Sequence, residues 1–314
     1  MVTLNRIHDA RNNIMDTVIK TPMYTSEQLN KISKNNIFLK GEHVQKTGSF
    51  KIRGATNKVK QAVEEGAKYI TAASSGNHGQ AVAYIANKLG VPSKIVVPED
   101  AVLSKLNAIE SYGGLIEKCG TTSAERLPRA KEIAKKENGI FIPPYDDPFI
   151  MAGQGTVGLE IIDQIESADI IIVPIGGGGL LSGILTAIKE TKPSIKVIGV
   201  EPEVANDTFL SLQAGKITSI HDAPTIADGL RTSQPGDLTF PVLLKYLDDL
   251  ILVSEEEIKH AFQFVLERMK QLIEPSSATT IAAAMFHKLG VENKNIVAVI
   301  SGGNVDIKQI NHFF

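Results

Sequence analysis

Short apolar runs alternate with longer amphipathic stretches along the chain. The runs are "NIFLK" (36–40), "KYITAA" (68–73), "SKIVVP" (93–98), "GIFIP" (139–143), "DIIIVPI" (169–175), "KVIGVE" (196–201), "DLILVS" (249–254) and "NIVAVIS" (295–301). Most are continuously apolar rather than alternating, the pattern of strands buried on both faces of a parallel sheet. Between them lie segments of helical period, such as "SGILTAIKETK" and "SEEEIKHAFQFVLERMKQLI" (254–273). In the second, Ser254 and Glu257 are spaced as a capping box, which predicts a helix starting there. Strands alternating with helices predict an α/β protein.

Composition sets outer bounds. The 314 residues are 43% hydrophobic and 22% charged, with a net charge of −2. That is ordinary globular composition, long enough for two domains or one large one. A near-neutral chain does not predict nucleic acid or an anionic membrane as a partner. No run reaches the roughly 18–20 apolar residues of a membrane span. The single cysteine, Cys119, and the absence of a signal-peptide core predict a reducing compartment, the cytoplasm.

Open α/β sheets bind ligands where strands give way to helices. Four such turns carry unusual residues. After the first apolar run comes "KTGSFKIRGATNKV", which sets Lys51 at a predicted helix start. That environment lowers a lysine pKa and favours the neutral, nucleophilic amine. After the second comes "SSGNHGQA", where Ser74, Ser75, Gly76, Asn77 and His78 offer hydroxyls, an amide and main-chain N–H groups suited to a carboxylate or phosphate. After "DIIIVPI" come Gly176, Gly177, Gly178 and Gly179, whose bare N–H groups predict a concave anion site. The spacing is that of neither the dinucleotide fingerprint nor the Walker lysine motif. "GQGTVG" (153–158) has the form G-x-G-x-x-G, but it follows the loop "PPYDDP" rather than a strand and reads as a decoy. The last strand ends in "SGGNVD", with Ser301 at its carboxyl end and Asn304 after the glycine pair. A reactive lysine, a phosphate cup and a carboxylate loop together imply a phosphorylated aldehyde acting on an amino acid, which is pyridoxal 5′-phosphate (PLP).

The motifs "KTGSFKIRGA", "SSGNHGQA", "AGQGT", "VPIGGGGLLSG", "EPSSA" and "SGGNVD" follow one another in the order found in fold-type II PLP-dependent enzymes. The chain resembles these enzymes over almost its whole length, and within them the threonine/serine dehydratase (ammonia-lyase) and serine racemase branch. The resemblance implies the tryptophan synthase β-like fold, with two open, mostly parallel sheets and flanking helices. It implies a large PLP-binding domain of residues 1–68 and 147–314 and a small substrate-loop domain of residues 69–146. By the same resemblance Lys51 carries the cofactor and moves the substrate's Cα proton. Gly176 to Gly179 and Leu180 cradle the phosphate, which takes the space that side chains would fill. Asn77 lies beside the ring oxygen, and Ser301 partners the pyridine nitrogen and leaves it unprotonated. Ser74, Ser75, Gly76, Asn77 and His78 grip the substrate carboxylate, and Ser75 moves a proton on the face opposite Lys51.

Finer features narrow the branch. No regulatory domain follows residue 314, so the isoleucine-inhibited biosynthetic type is not expected. The loop holds Ser75 where some dehydratases have alanine. In "VEPEVAND", Glu201, the Ala205 carbonyl and Asp207 match positions that bind a divalent cation in the racemase branch. All-oxygen ligands suit Mg²⁺, Mn²⁺ or Ca²⁺. Lys46, Thr47 and Asn304 match positions that bind nucleotide there, with ATP as an effector. Tyr145 in "PPYDDP" is the residue of many dehydratases, whereas some racemases carry Asn. The expected activity is β-elimination of water from L-threonine or L-serine, then deamination to 2-oxobutanoate or pyruvate plus ammonia, with serine racemisation at the same site. Serine racemase as the main activity and 3-hydroxyaspartate dehydratase remain alternatives. An intact Lys51, Ser75 and Ser301 argue against a non-catalytic PLP-binding regulator. The family implies a homodimer.

Overall fold

The computed structural model describes residues 2–314. Among the described residues, ten strands form two sheets: β1 (Met23–Thr25), β2 (Asn36–Gly41), β3 (Ile70–Ala73), β4 (Ser93–Val97), β5 (Leu115–Lys118), β6 (Ile140–Phe141), β7 (Ile170–Pro174), β8 (Lys196–Pro202), β9 (Asp249–Val253) and β10 (Asn295–Ile300). The larger sheet has the order β1-β2-β10-β7-β8-β9, and the smaller β5-β4-β3-β6. Every pairing is parallel except that of β1 with β2.

The continuous apolar runs have the predicted cause. Ile171, Val173, Val297 and Val299 enter one core, while their neighbours Ile170, Ile172, Ile296 and Ala298 enter another on the opposite face of the large sheet. A strand buried on both faces has no polar side to show. All eight expected runs contain a strand. The two that the pattern did not predict are β1, three residues long, and β5, "LIEK", an exposed edge strand of mixed polarity. Neither is buried enough to need an apolar run.

The helix predicted from Ser254 begins as expected: the Ser254 hydroxyl accepts from the Glu257 N–H and the Glu257 carboxylate accepts from the Ser254 N–H. It does not reach residue 273. The α-helix Glu255–Phe264 widens into a π turn, Val265–Met269, and stops at Lys270, which is left-handed at φ 59°. "GQGTVG" lies inside the helix Pro148–Gln164. Its glycines permit close helix contact. A Cβ on Gly153 would sit 2.6 Å from the Gly54 Cα, and one on Gly183 would sit 2.5 Å from the Gly155 nitrogen. The helices Lys51–Glu64 and Gly179–Thr191 thus both pack on this one helix, which fixes the lysine and the glycine loop relative to each other. The Lys51 helix also supplies Ile52, Ala55 and Val59 to the core of the small sheet, with Ile70, Ala72, Ile95 and the helix Asn77–Lys88.

Candidate active site

The four predicted turns meet at the carboxyl ends of β2, β3, β7 and β10. Lys51 opens its helix immediately after Phe50, whose N–H donates to the Ser301 carbonyl at 3.0 Å. Ser49 bridges Gly302, so the first and fourth turns form one ridge. Two residues beyond Lys51, the fully buried Arg53 guanidinium holds Glu42 at 2.7 and 2.9 Å and Glu160 at 2.7 and 3.0 Å. Lys40 adds a 2.6 Å bond to Glu160, so two cations and two carboxylates balance below the helix start. The Asn304 amide donates to Asn77 at 2.7 Å and to the Thr47 carbonyl at 2.8 Å, which joins the second and fourth turns. The segment after β6 reaches the other two: the Lys51 ammonium donates to the Pro144 carbonyl at 2.7 Å, and the next residue, Tyr145, lies on the glycine loop.

Electrostatics sort these groups by role. Burial pushes the Lys51 amine down to about 8, against the pull of the Glu274 carboxylate. A less basic amine carries a larger neutral fraction near pH 7 and transfers protons more readily. His78 is buried, its ring bonded to the Ile142 carbonyl at 2.9 Å, and burial followed by the nearby Lys51 charge pushes it down to about 3. It is therefore a neutral ring turned into the protein, and what it offers the loop is its main-chain N–H. Ser74 accepts from the Gly76 N–H at 3.2 Å, and Ser75 is half-buried at the loop's crest. The N–H groups of Asn77 and His78 find no acceptor among the described residues.

The glycine loop differs from expectation in one respect. A Cβ on Gly177 would lie 2.4 Å from the Tyr145 ring, and one on Gly178 would lie 2.8 Å from the Thr239 hydroxyl. Gly178 is also left-handed at φ 87°, where glycine carries no penalty. The space kept free of side chains is thus taken by Tyr145 and Thr239. What remains for an anion is the main chain: the N–H groups of Gly177, Gly178, Gly179 and Leu180 have no acceptor among the described residues, and they lead into a helix N-terminus. This cradle fits a phosphate. Thr239 props it from behind, donating to the Gly177 carbonyl at 2.8 Å.

One buried acid has no role in the sequence reading. Glu274 holds both carboxylate oxygens on the Asn77 amide, at 3.0 and 2.9 Å. Burial, then the charge of Asp228, pushes it up to about 7. A Cβ on Gly302 would meet it at 3.0 Å. The signal was present in "EPSSA": an acid before a proline at a helix start, followed by two serines that are also buried.

Comparison with known proteins agrees with this geometry. Residues 14–302 match the pyridoxal-phosphate dependent enzyme family. The chain belongs to that family. It is 41% identical to the L-threonine ammonia-lyase of Thermotoga maritima, over 99% of this chain and 78% of that protein. It is 42% identical to the serine racemase of Mus musculus, over 97% of this chain and 92% of that one. The structure of maize serine racemase superposes with a TM-score of 0.95 at 37% identity, covering 99% of this chain and 96% of the other. The fold is accordingly that of the fold-type II PLP enzymes.

Two further groups of predicted residues flank this PLP-enzyme site. Glu201 and Asp207 are both fully buried. The Glu201 carboxylate accepts the Thr208 and Phe209 N–H groups at 3.1 and 2.9 Å, and Asp207 accepts the Thr232 hydroxyl at 3.2 Å. Burial and then the neighbouring Asp207 push Glu201 up to about 8, and burial pushes Asp207 up to about 7. Two buried carboxylates that resist ionisation side by side, beside the Ala205 turn, are a donor set that a hard cation fits. Among the described residues no group of three or more His, Cys, Asp or Glu side chains is placed to hold a metal. Lys46 is exposed, while Thr47 is buried and left-handed at φ 60°, its hydroxyl unpartnered. Among the described residues no helix is long and apolar enough to cross a membrane.

Proposed function

We propose that this protein is a PLP-dependent dehydratase of L-threonine and L-serine that also racemises serine. The observation that carries this reading is the half-buried Lys51 amine, its basicity lowered, on the same scaffold as a main-chain phosphate cradle. Bound between them, PLP would withdraw electrons from the substrate Cα and acidify its proton. Lys51 holds the cofactor and then moves that proton at its Nζ. The free N–H groups of Asn77 and His78, with Ser74, Ser75 and Gly76, bind the carboxylate and orient the Cα–H toward the amine. Bound there, the cofactor would have its ring oxygen held by the Asn77 amide, its phosphate by Gly176 to Leu180 and its pyridine nitrogen by Ser301. The Ser75 hydroxyl holds a proton at the other face of Cα, which is what racemisation requires. Glu201, Asp207 and the Ala205 carbonyl would bind a divalent cation that replaces the protons those acids otherwise retain. Lys46, Thr47 and Asn304 would take ATP as an effector, and the Asn304–Asn77 bond supports a link from there to the cofactor site. The active assembly is read as a homodimer, which the family resemblance implies, in the cytoplasm, a reading supported by the single cysteine, Cys119.

Borohydride reduction of the yellow holoenzyme, followed by peptide mapping, should place the pyridoxyl group on Lys51. A substrate panel of L-threonine, L-serine, D-serine and 3-hydroxyaspartate, read for keto acid and for D-serine, ranks the activities. Ser75→Ala should abolish D-serine formation and keep most keto acid from L-serine. Equal loss of both would assign Ser75 to binding instead. For the cation, Mg²⁺ added to chelated protein should raise the melting temperature of the wild type and leave Glu201→Ala unmoved. A ligand at a hundredfold excess over its Kd adds about 2.7 kcal/mol. Identical titrations would reduce Glu201 to a helix cap.

A further inference from the structure

Ser277 is fully buried in the third position of the helix Pro275–Met285, and its hydroxyl leaves its own helix to meet the end of β10. It has three polar neighbours: the Gly302 N–H at 2.9 Å, the Gly302 carbonyl at 2.8 Å and the Ser301 hydroxyl at 3.1 Å. A serine hydroxyl has one proton and two lone pairs. The Gly302 N–H can only donate, so it uses one lone pair of Ser277. The Gly302 carbonyl can only accept and lies nearer to the Ser277 oxygen than Ser301 does, 2.8 against 3.1 Å, so the Ser277 proton is assigned to it. The remaining lone pair is satisfied only if Ser301 donates to Ser277. Ser301 has no other side-chain hydrogen bond among the described residues and is itself 2% exposed.

The only proton of Ser301 is thereby directed inward, away from the position the cofactor ring would occupy. We propose that Ser277 is a positioning residue that competes with the cofactor's pyridine nitrogen for the Ser301 proton. This deepens the proposed site and rests on the reading that Ser301 faces that nitrogen. When PLP is bound, Ser301 gives its proton to the ring only by giving up its bond to Ser277. The hydrogen bond to the ring nitrogen is weaker than a lone serine would make, and electron withdrawal by the ring is set by the Ser277–Ser301 pair rather than by Ser301 alone. The Gly302 carbonyl reinforces the competition. It also accepts the Glu274 N–H at 3.0 Å, which anchors it in the place where it holds Ser277.

The test is ¹⁵N NMR of holoenzyme loaded with PLP labelled at the ring nitrogen. In Ser277→Ala the Ser301 proton has no rival acceptor, so the nitrogen resonance should move upfield of wild type. PLP release from the holoenzyme should slow by about threefold to tenfold, the worth of one ordinary hydrogen bond. Ser277→Cys, whose thiol is a poor acceptor, should move the resonance in the same direction and keeps the test available if the alanine variant does not load PLP. In a Ser301→Ala background, Ser277→Ala should move nothing. A resonance that responds to Ser301→Ala but not to either Ser277 variant overturns the competition and leaves the site reading intact. A resonance indifferent to Ser301→Ala overturns the site reading and the inference with it. A purely structural Ser277 would lower the melting temperature in both backgrounds without moving the resonance.

Discussion

Glu274 shows what a single buried acid does to this protein. Its carboxyl, ordinarily near 4.5, is raised to about 7 by burial and then by Asp228, while the Asn77 amide pulls it down. A group whose folded pKa is raised binds its proton more tightly in the native state. Its contribution to stability is complete below the unfolded value and is lost as pH rises through the folded one. The metal-free apoprotein should therefore lose stability between about pH 4.5 and 7 on account of this residue. Glu201 and Asp207 act in the same sense, so the informative quantity is the difference between wild type and Glu274→Gln. The glutamine retains an acceptor for Asn77 but cannot titrate. Urea midpoints measured across that window should fall more steeply in the wild type, and parallel curves would show that Glu274 is not the titrating group. Glu274 is the terminal acceptor of the Asn304–Asn77 chain, at the rim of the proposed cofactor site.

At the scale of elements, the turn from β7 into the helix Gly179–Thr191 decides whether the site can form. Its glycines meet protein on one side and present free N–H groups on the other. Gly177→Ala would place a methyl group 2.4 Å from the Tyr145 ring, and the Tyr145 Cα and Cβ are themselves packed close to the Gly179 backbone. Overpacking of this kind costs about 1–3 kcal/mol. We expect Gly177→Ala to lower the melting temperature and to loosen PLP by at least about tenfold, near 1.4 kcal/mol. Adding Tyr145→Ala should restore much of both, since it empties the contested space. Full PLP occupancy and an unchanged melting temperature in Gly177→Ala would show that the loop adjusts freely.

At the scale of the whole molecule, an ion pair joins segments that belong to the two sheets. Lys105, on the helix Leu103–Ser111 beside the small sheet, pairs with Asp228, in the large-sheet segment that also packs on Gly176 and Glu274. Both side chains are partly exposed, at 22% and 40%. An exposed pair of this type contributes about 0.2–1 kcal/mol. Because it ties the small-sheet helix to the segment beside Gly176 and Glu274, Lys105→Met should raise KM by up to about fivefold with little change in kcat, and the difference from wild type should shrink at high salt. A KM unaffected by the substitution at low salt would mean that the pair plays no part in holding substrate.

Much of this was legible in the sequence because it depends on local rules. Burial on both faces writes itself as an unbroken apolar run, so the strands of the parallel sheets could be placed. A capping box, a lysine after a Gly-Ser turn and four glycines after a strand each constrain the backbone within a few residues. The order of those motifs carried the family and its cofactor. What could not be read depends on distance along the chain. Edge strands such as β5 need no apolar pattern because one side of them is solvent. The space opposite Gly177 belongs to Tyr145, and that opposite Gly178 to Thr239, 61 residues beyond it in the chain. Glu274 is a weak acid because packed segments bury it and set Asp228 beside it, and the direction of the Ser301 proton comes from Ser277. The sequence by itself determined which residues bring chemistry to the ends of the strands. Only the tertiary structure decided their protonation, their partners and the shape of the space between them, because burial and hydrogen-bond geometry exist only once distant segments are packed together.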